Sequence, residues 1–134
     1  SAPQRVREFF PNEADALLKK RFAIIQSWHS ISSTIESEPL ALCDGRTIPT
    51  KGFIRNQRRY RGRTAETYHI SHHSSHRWYY FPKMEPAEVL VFKVFDTDKN
   101  VGVKFTAHTA FDDPSSTKDS LPRQSIEMRA LVFF

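Results

Sequence analysis

Beyond Phe22 the sequence is a succession of short apolar and aromatic runs, each stopped by a turn signal before it reaches the length of a helix. The runs are 22–28, 40–43, 66–70, 77–81, 89–95, 103–111 and 125–134. They are rich in Val, Ile, Phe, Tyr and Trp, the residues that fit a pleated, half-buried surface. Asp44-Gly45, Pro82, Pro86, Asp96-Thr97-Asp98-Lys99-Asn100 and a polar loop over 112–122 separate them. Gly, Pro and Asp clusters of this kind reverse the chain. Seven strands at this spacing predict a sandwich or barrel of the jelly-roll type, with residues 22–134 β-rich.

Only the first 21 residues read as helical. Arg5-Val6-Arg7-Glu8-Phe9-Phe10 runs to a break at Pro11, and a second helix is predicted over 12–21. There Asn12 serves as N-cap, Glu13 and Asp15 occupy the first turn, and Lys19, Lys20 and Arg21 occupy the last, matching the helix dipole. With 134 residues, 39% of them hydrophobic, the chain can bury one core, and a single domain is expected. No internal repeat or low-complexity segment interrupts it.

The formal charge of +5 invites a nucleic-acid reading, but the excess is local. Arg55, Arg58, Arg59, Arg61 and Arg63 lie in one aperiodic stretch, read as a solvated loop, around Tyr60 and Gly62. Fork-like cations beside a stacking tyrosine could hold phosphates; charge confined to one loop, with no recognisable nucleic-acid fold signature, argues against that role. His72, His73 and His76 in His-His-Ser-Ser-His look like a zinc cluster, yet no Cys-X-X-Cys or nearby acidic ligand accompanies them, and a solvated turn is the simpler reading. In the run that follows, alternation predicts Trp78 and Tyr80 on one face and Tyr79 on the other, with one face in the core. Cys43 is the only cysteine, so no intramolecular disulfide can form and a cytoplasmic location is the default expectation. No apolar run approaches the length of a membrane helix.

Four blocks then fall in a recognisable order: Glu38-Pro39-Leu40-Ala41-Leu42-Cys43-Asp44, His76-Arg77-Trp78-Tyr79-Tyr80-Phe81, Thr106-Ala107-His108-Thr109-Ala110-Phe111, and the run from Pro122-Arg123-Gln124-Ser125 to Phe133. Together they resemble the fungal hydroxylase/desaturase family of secondary metabolism, grouped with gibberellin desaturases and cephalosporin methoxylase-related proteins. The resemblance runs from about Arg5 to Phe134. It implies a partial double-stranded β-helix, Fe(II) and 2-oxoglutarate as cofactors, and hydroxylation or desaturation of a small secondary metabolite. Family members are about twice this length, and their His-X-Asp lies just before the segment resembling the start of this chain. The resemblance therefore implies a C-terminal half whose partner is the missing N-terminal half, or a homodimer. The chain departs from the family where relatives usually have Trp-Arg-Pro, here Trp28-His29-Ser30, and at Ala107, where a proline is usual.

The matched residues make chemical sense on their own terms. A strand-borne neutral imidazole at His108 can give a lone pair to iron, whose facial sites take two histidines and one carboxylate. No His-X-Asp or His-X-Glu occurs in this sequence, so the other ligands are missing and the chain alone is expected to be inactive. Arg123 offers a planar fork for a carboxylate, and Ser125, two residues on, adds a hydroxyl on the same face. Arg129 competes for the same role. Two other readings stay open: a non-catalytic remnant or binding module of the same fold, and a nucleic-acid binder using the basic segment.

Overall fold

The computed structural model describes residues 2–134, apart from the side chain of Arg63. Eight strands form two three-stranded antiparallel sheets and one hairpin. The first sheet has the order β6 (Leu90–Asp96), β1 (Phe22–Ser30), β8 (Ser125–Phe133). The second has the order β5 (Trp78–Tyr80), β2 (Leu40–Cys43), β7 (His108–Ala110). The hairpin pairs β3 (Phe53–Tyr60) with β4 (Arg63–Ile70). The β-rich, jelly-roll-like expectation therefore stands, with the helical part at the N-terminus.

The two sheets face each other across one apolar cluster. Trp28, Leu90 and Phe92 come from the first sheet and Leu40 from the second, with Leu42 packed alongside and Ile35 and Met84 filling in from the connections. Each such side chain taken out of water contributes about 1.5–3 kcal/mol, which is what holds the layers together. A second cluster seats Val6, Ala14 and Phe22 against Leu131, Phe133 and Phe95, fixing the N-terminal helices to one end of the first sheet. Asp96, 1% exposed, closes that end. It accepts from Arg21 Nη2 at 3.0 Å, from Lys93 Nζ at 3.1 Å and from the Asp98 amide at 2.9 Å. Arg21 hydrogen-bonds it most strongly, and its carboxyl is held far below the usual carboxylate range.

Four local expectations are corrected. The helix predicted over 12–21 is only α2 (Ala14–Leu17), and the capping position is Glu13, without a side-chain cap, rather than Asn12. The chain cannot remain helical beyond it, because Arg21 is already pinned to Asp96 and Phe22 opens β1. Before it, α1 (Ala2–Phe9) ends ahead of Pro11 as predicted, and Ser1 lies outside the described residues. The arginine-rich stretch is not a loop but the hairpin β3–β4, which turns at Gly62 with φ 84°. Both faces of that ribbon are largely solvated, so it carries no apolar alternation; cross-strand pairs such as Arg55 with Glu66 and Asn56 with His69 take its place. The run 103–111 is a strand only over His108–Ala110. Upstream, Phe105 turns aside to pack on Phe53, Tyr68 and Phe95, anchoring the base of the hairpin. Trp78, Tyr79 and Tyr80 are all exposed, because β5 is an edge strand with neither face in the core.

Candidate active site

His108 opens β7 and pairs with Leu42 of β2, whose side chain packs into the inter-sheet cluster. Residues directly opposite in an antiparallel pair project to the same face, so the imidazole points inward. There it meets the edge of Phe92 at 4.9 Å between ring centroids. Its Nδ1 lies 2.9 Å from the Thr106 carbonyl oxygen. A carbonyl only accepts, so Nδ1 carries a proton and donates, which in the neutral imidazole leaves the lone pair on Nε2. That is how metal-ligating histidines are held, with one ring nitrogen tied to a backbone acceptor and the other offered to the ion.

The opposing wall comes from the first sheet. Along β1 and β8 the register sets Ser30 against Ser125, Trp28 against Glu127 and Gln26 against Arg129. On the other side of β1, Phe92 pairs with Gln26 and Leu90 with Trp28. Trp28, Leu90 and Phe92 point into the core, so Gln26, Ser30, Ser125, Glu127 and Arg129 share their face. Arg123 lies just before β8, with its guanidinium carbon 5.9 Å from the Trp28 ring centroid, and so belongs to the same side. Its Nη1 donates to the Glu38 carbonyl oxygen at 2.5 Å. Glu38 has φ 48°, a left-handed conformation that non-glycine residues adopt at a cost, and its carbonyl is what the arginine reads.

The two candidate arginines differ in their partners. Arg129 is committed: Nε donates to Gln26 Oε1 at 2.7 Å and Nη2 to Glu127 Oε1 at 2.8 Å, while Gln26 Nε2 donates to Glu127 Oε2 at 2.9 Å. Arg123 forms no ion pair with any carboxylate among the described residues. Its charge is open to an anionic ligand, with Ser125 beside it on the same face.

His108 could give one nitrogen to a metal ion and Arg123 could take a carboxylate. His108 projects from the second sheet against Phe92, and Arg123, just ahead of β8, lies beside Trp28 of the first sheet with no carboxylate partner among the described residues. Among the described residues, no group of three His, Cys, Asp or Glu side chains could hold a metal ion. His72, His73 and His76 form a turn, in which His73 Nδ1 contacts Ser75 Oγ at 2.7 Å and the rings of His73 and His76 lie 6.1 Å apart. The interior wall is open: Arg129 and Glu127 are 56% and 49% exposed. Two surface clefts lie elsewhere, one bounded by Arg46, His76 and Arg77 and the other by Glu36, Asp113 and Ser116. Sequence reading missed Gln26, Phe92 and Thr106, which support the matched residues; of these only Gln26 carried a signal, as a polar residue in an apolar strand.

A family profile described as an oxidoreductase/YMDC permease-like domain matches residues 1–133. The chain belongs to that family. No helix among the described residues is long and apolar enough to cross a membrane. Its relatives are fungal oxidoreductases of secondary metabolism. The chain is 37% identical over 139 residues to aspirochlorine biosynthesis protein N of Aspergillus oryzae, covering 99% of this chain and 57% of that protein. It is 32% identical to the hydroxylase/desaturase asaB of Aspergillus flavus, covering 91% of this chain and 60% of that one. It is 34% identical to the Fe(II)/2-oxoglutarate-dependent dioxygenase nvfI of Aspergillus novofumigatus, covering 90% and 44%. The solved iron and alpha-ketoglutarate-dependent endoperoxidase NvfI superposes with a TM-score of 0.90 at 29% identity, over 98% of this chain and 49% of that one. The chain spans about half the length of the curated relatives it matches.

Proposed function

We propose that this chain forms the C-terminal half of a non-heme Fe(II)/2-oxoglutarate-dependent oxygenase that hydroxylates or desaturates a small secondary metabolite. The observation that carries the reading is the setting of His108: its Nδ1 is tied to the Thr106 carbonyl and its ring packs on Phe92 of the inter-sheet cluster, while Arg123 rests against Trp28 of the same cluster. His108 would supply one of the three protein ligands that a facial iron site takes. The other two would come from the segment this chain does not span. Bound iron and 2-oxoglutarate supply the oxidising power for attack on a C–H bond.

The chain's own groups bind and orient. Arg123 receives the distal carboxylate of 2-oxoglutarate through two parallel N–H donors, and Ser125 adds a hydroxyl. Trp28, 4% exposed, gives the guanidinium a flat backing, which restricts its rotamers and leaves the fork pre-formed. Phe92 and the Thr106 carbonyl fix the imidazole plane, so the lone pair has one direction.

The test uses the chain expressed together with the segment of its relatives that this sequence does not span. Arg123→Lys keeps the charge and loses the fork. It should raise the 2-oxoglutarate requirement roughly tenfold to a hundredfold, the worth of a charge-assisted bidentate contact, with metal binding unchanged. His108→Ala should abolish turnover at every 2-oxoglutarate concentration. A co-substrate defect in Arg129→Lys instead of Arg123→Lys would transfer the role to Arg129. A defect in neither would end the 2-oxoglutarate reading.

A further inference from the structure

Gln26 is a fully buried polar side chain in the middle of an otherwise apolar inward row, and both ends of its amide are used. Together with Arg129 and Glu127 it closes a three-membered ring of hydrogen bonds, each 2.7–2.9 Å long. A surface Arg–Glu pair is ordinarily loose, because holding two long side chains in one geometry costs entropy. Here a side chain with no solvent exposure grips both members, so the pair is held in place. The ring sits in the same cross-strand row as Phe92, the residue that touches His108. Two strand spacings of about 4.8 Å separate Arg129 from Phe92, which places it within reach of a substrate lying over the imidazole. The next row along the wall is that of Trp28, against which Arg123 rests.

We propose that Glu127, gripped by Gln26, sets the specificity of this wall by masking Arg129. With its charge compensated, Arg129 no longer attracts a dianion, so 2-oxoglutarate is confined to Arg123. The Arg129–Glu127 pair remains a donor and acceptor for neutral oxygen functions, hydroxyl or carbonyl, on the organic substrate. This rests on the co-substrate reading of Arg123 given above, and names the substrate class as a neutral, oxygenated small molecule.

Two arginines of equal charge lie on one wall, and the masking accounts for their different partners. Arg129 keeps unused N–H donors on Nη1, and Glu127 keeps lone pairs beyond those it shares with Arg129 and Gln26. A neutral hydroxy-ketone can use both without disturbing the pair. A dianion would have to displace Glu127 or be repelled by it.

The masking is testable on the chain itself by following the arginine Nε–H resonances at low ionic strength. Titrated with 2-oxoglutarate, the unmodified chain should show a shift at Arg123 and none at Arg129. In Glu127→Gln, Arg129 should respond too, at 2-oxoglutarate concentrations that leave Arg129 of the parent unmoved. Glu127→Ala removes the same charge and should act in the same direction, so a folding defect in one variant does not carry the result. Dihydroxyacetone, a neutral hydroxy-ketone, should shift Arg129 and leave Arg123 unmoved. A response of Arg129 to 2-oxoglutarate in the unmodified chain overturns the masking, as does silence at Arg129 in both variants. Silence at Arg129 toward dihydroxyacetone overturns the substrate class. If instead Arg123 is silent while Arg129 awakens only in the variants, the masking stands and the co-substrate reading of Arg123 fails.

Discussion

Asp96→Asn removes one negative charge from the most densely paired buried position in the fold while keeping its shape. The native carboxylate is 1% exposed and takes Arg21 Nη2 at 3.0 Å, Arg21 Nε at 3.3 Å, Lys93 Nζ at 3.1 Å and the Asp98 amide at 2.9 Å. Hydrogen bonds to charged groups contribute about 1.5–3 kcal/mol each, but these do not sum, because they share one acceptor. The partners, Arg21 at 43% and Lys93 at 29% exposure, turn back to water when the charge is gone. Asparagine also still accepts from the Asp98 amide. Breaking a fully buried pair costs about 3–5 kcal/mol, and the exposed partners bring Asp96→Asn down to about 2–3 kcal/mol. For a domain of this size that lowers the melting temperature by about 6–12 °C. The sign of the pH effect follows from the direction of the shift. The folded carboxyl titrates below its unfolded value, so its contribution is complete above about pH 4–5 and drains away as acid approaches the folded pKa. Thermal melts of both forms between pH 7 and pH 2 test this. The parent should lose stability on acidification faster than the variant, and the two curves should converge. A variant that melts within 2 °C of the parent at pH 7, or keeps the parent's acid slope, would refute the ionic account of Asp96.

Three further outcomes follow from single sites. Titration of the chain with Mn(II) as a stand-in for Fe(II) should show no site tighter than a lone imidazole provides; a stoichiometric micromolar site lost in His108→Ala would mean that the chain completes its own ligand set. Gly45→Ala should destabilise the fold by about 1–3 kcal/mol in thermal melts, because its new methyl would lie 2.4 Å from Val103 Cγ1 and 3.1 Å from the Phe105 carbonyl oxygen. Burial raises the Cys43 thiol above its ordinary value, so it should react with a disulfide reagent far more slowly in the native chain than in urea, and a native rate equal to the unfolded one would contradict its burial.

Wherever a strand has one buried face, its residues announced it. Phe22, Gln26, Trp28 and Ser30 alternate into the core along β1, and the runs at 40–43 and 89–95 became β2 and β6 almost residue for residue. The signal failed where tertiary structure supplies what the local sequence does not. The β3–β4 ribbon has two solvated faces, so nothing in Arg55-Asn56-Gln57-Arg58-Arg59-Tyr60 alternates between apolar and polar; only the run 66–70, the second half of β4, was legible as a strand. In the run 103–111, Phe105 has a strand-like composition but serves as a wedge beneath that ribbon. At the candidate site, His108 and Arg123 were legible through the blocks that surround them. The difference between Arg123 and Arg129 was not, because it depends on Gln26, which strand register brings to Arg129 and its neighbour Glu127 from 103 residues away.

The departures from the family pattern acquire a physical meaning once the faces are known. The resemblance places His29 where relatives usually carry an arginine. In the structure, His29 pairs with Ile126 on the face of β1 opposite to Trp28, and its Nδ1 donates back to the Ser30 carbonyl oxygen at 2.8 Å. A side chain on that face cannot reach the interior occupied by His108, Arg123 and Arg129. The loss of the arginine therefore removes nothing from the inward wall. Ser30, in place of the proline, is 1% exposed, and its hydroxyl donates to the Ser33 carbonyl, closing the turn that a proline ring would otherwise stiffen. At Ala107 the backbone carbonyl accepts from the Cys43 amide at 2.8 Å, and this bond continues the β2–β7 ladder one step past His108. Proline and alanine both offer that carbonyl, so the exchange leaves His108 anchored. The substitutions thus fall on the outward face at His29, on a buried turn hydroxyl at Ser30 and on a backbone acceptor at Ala107, and the inward row from Ser125 to Arg129 remains the surface on which co-substrate and substrate would be told apart.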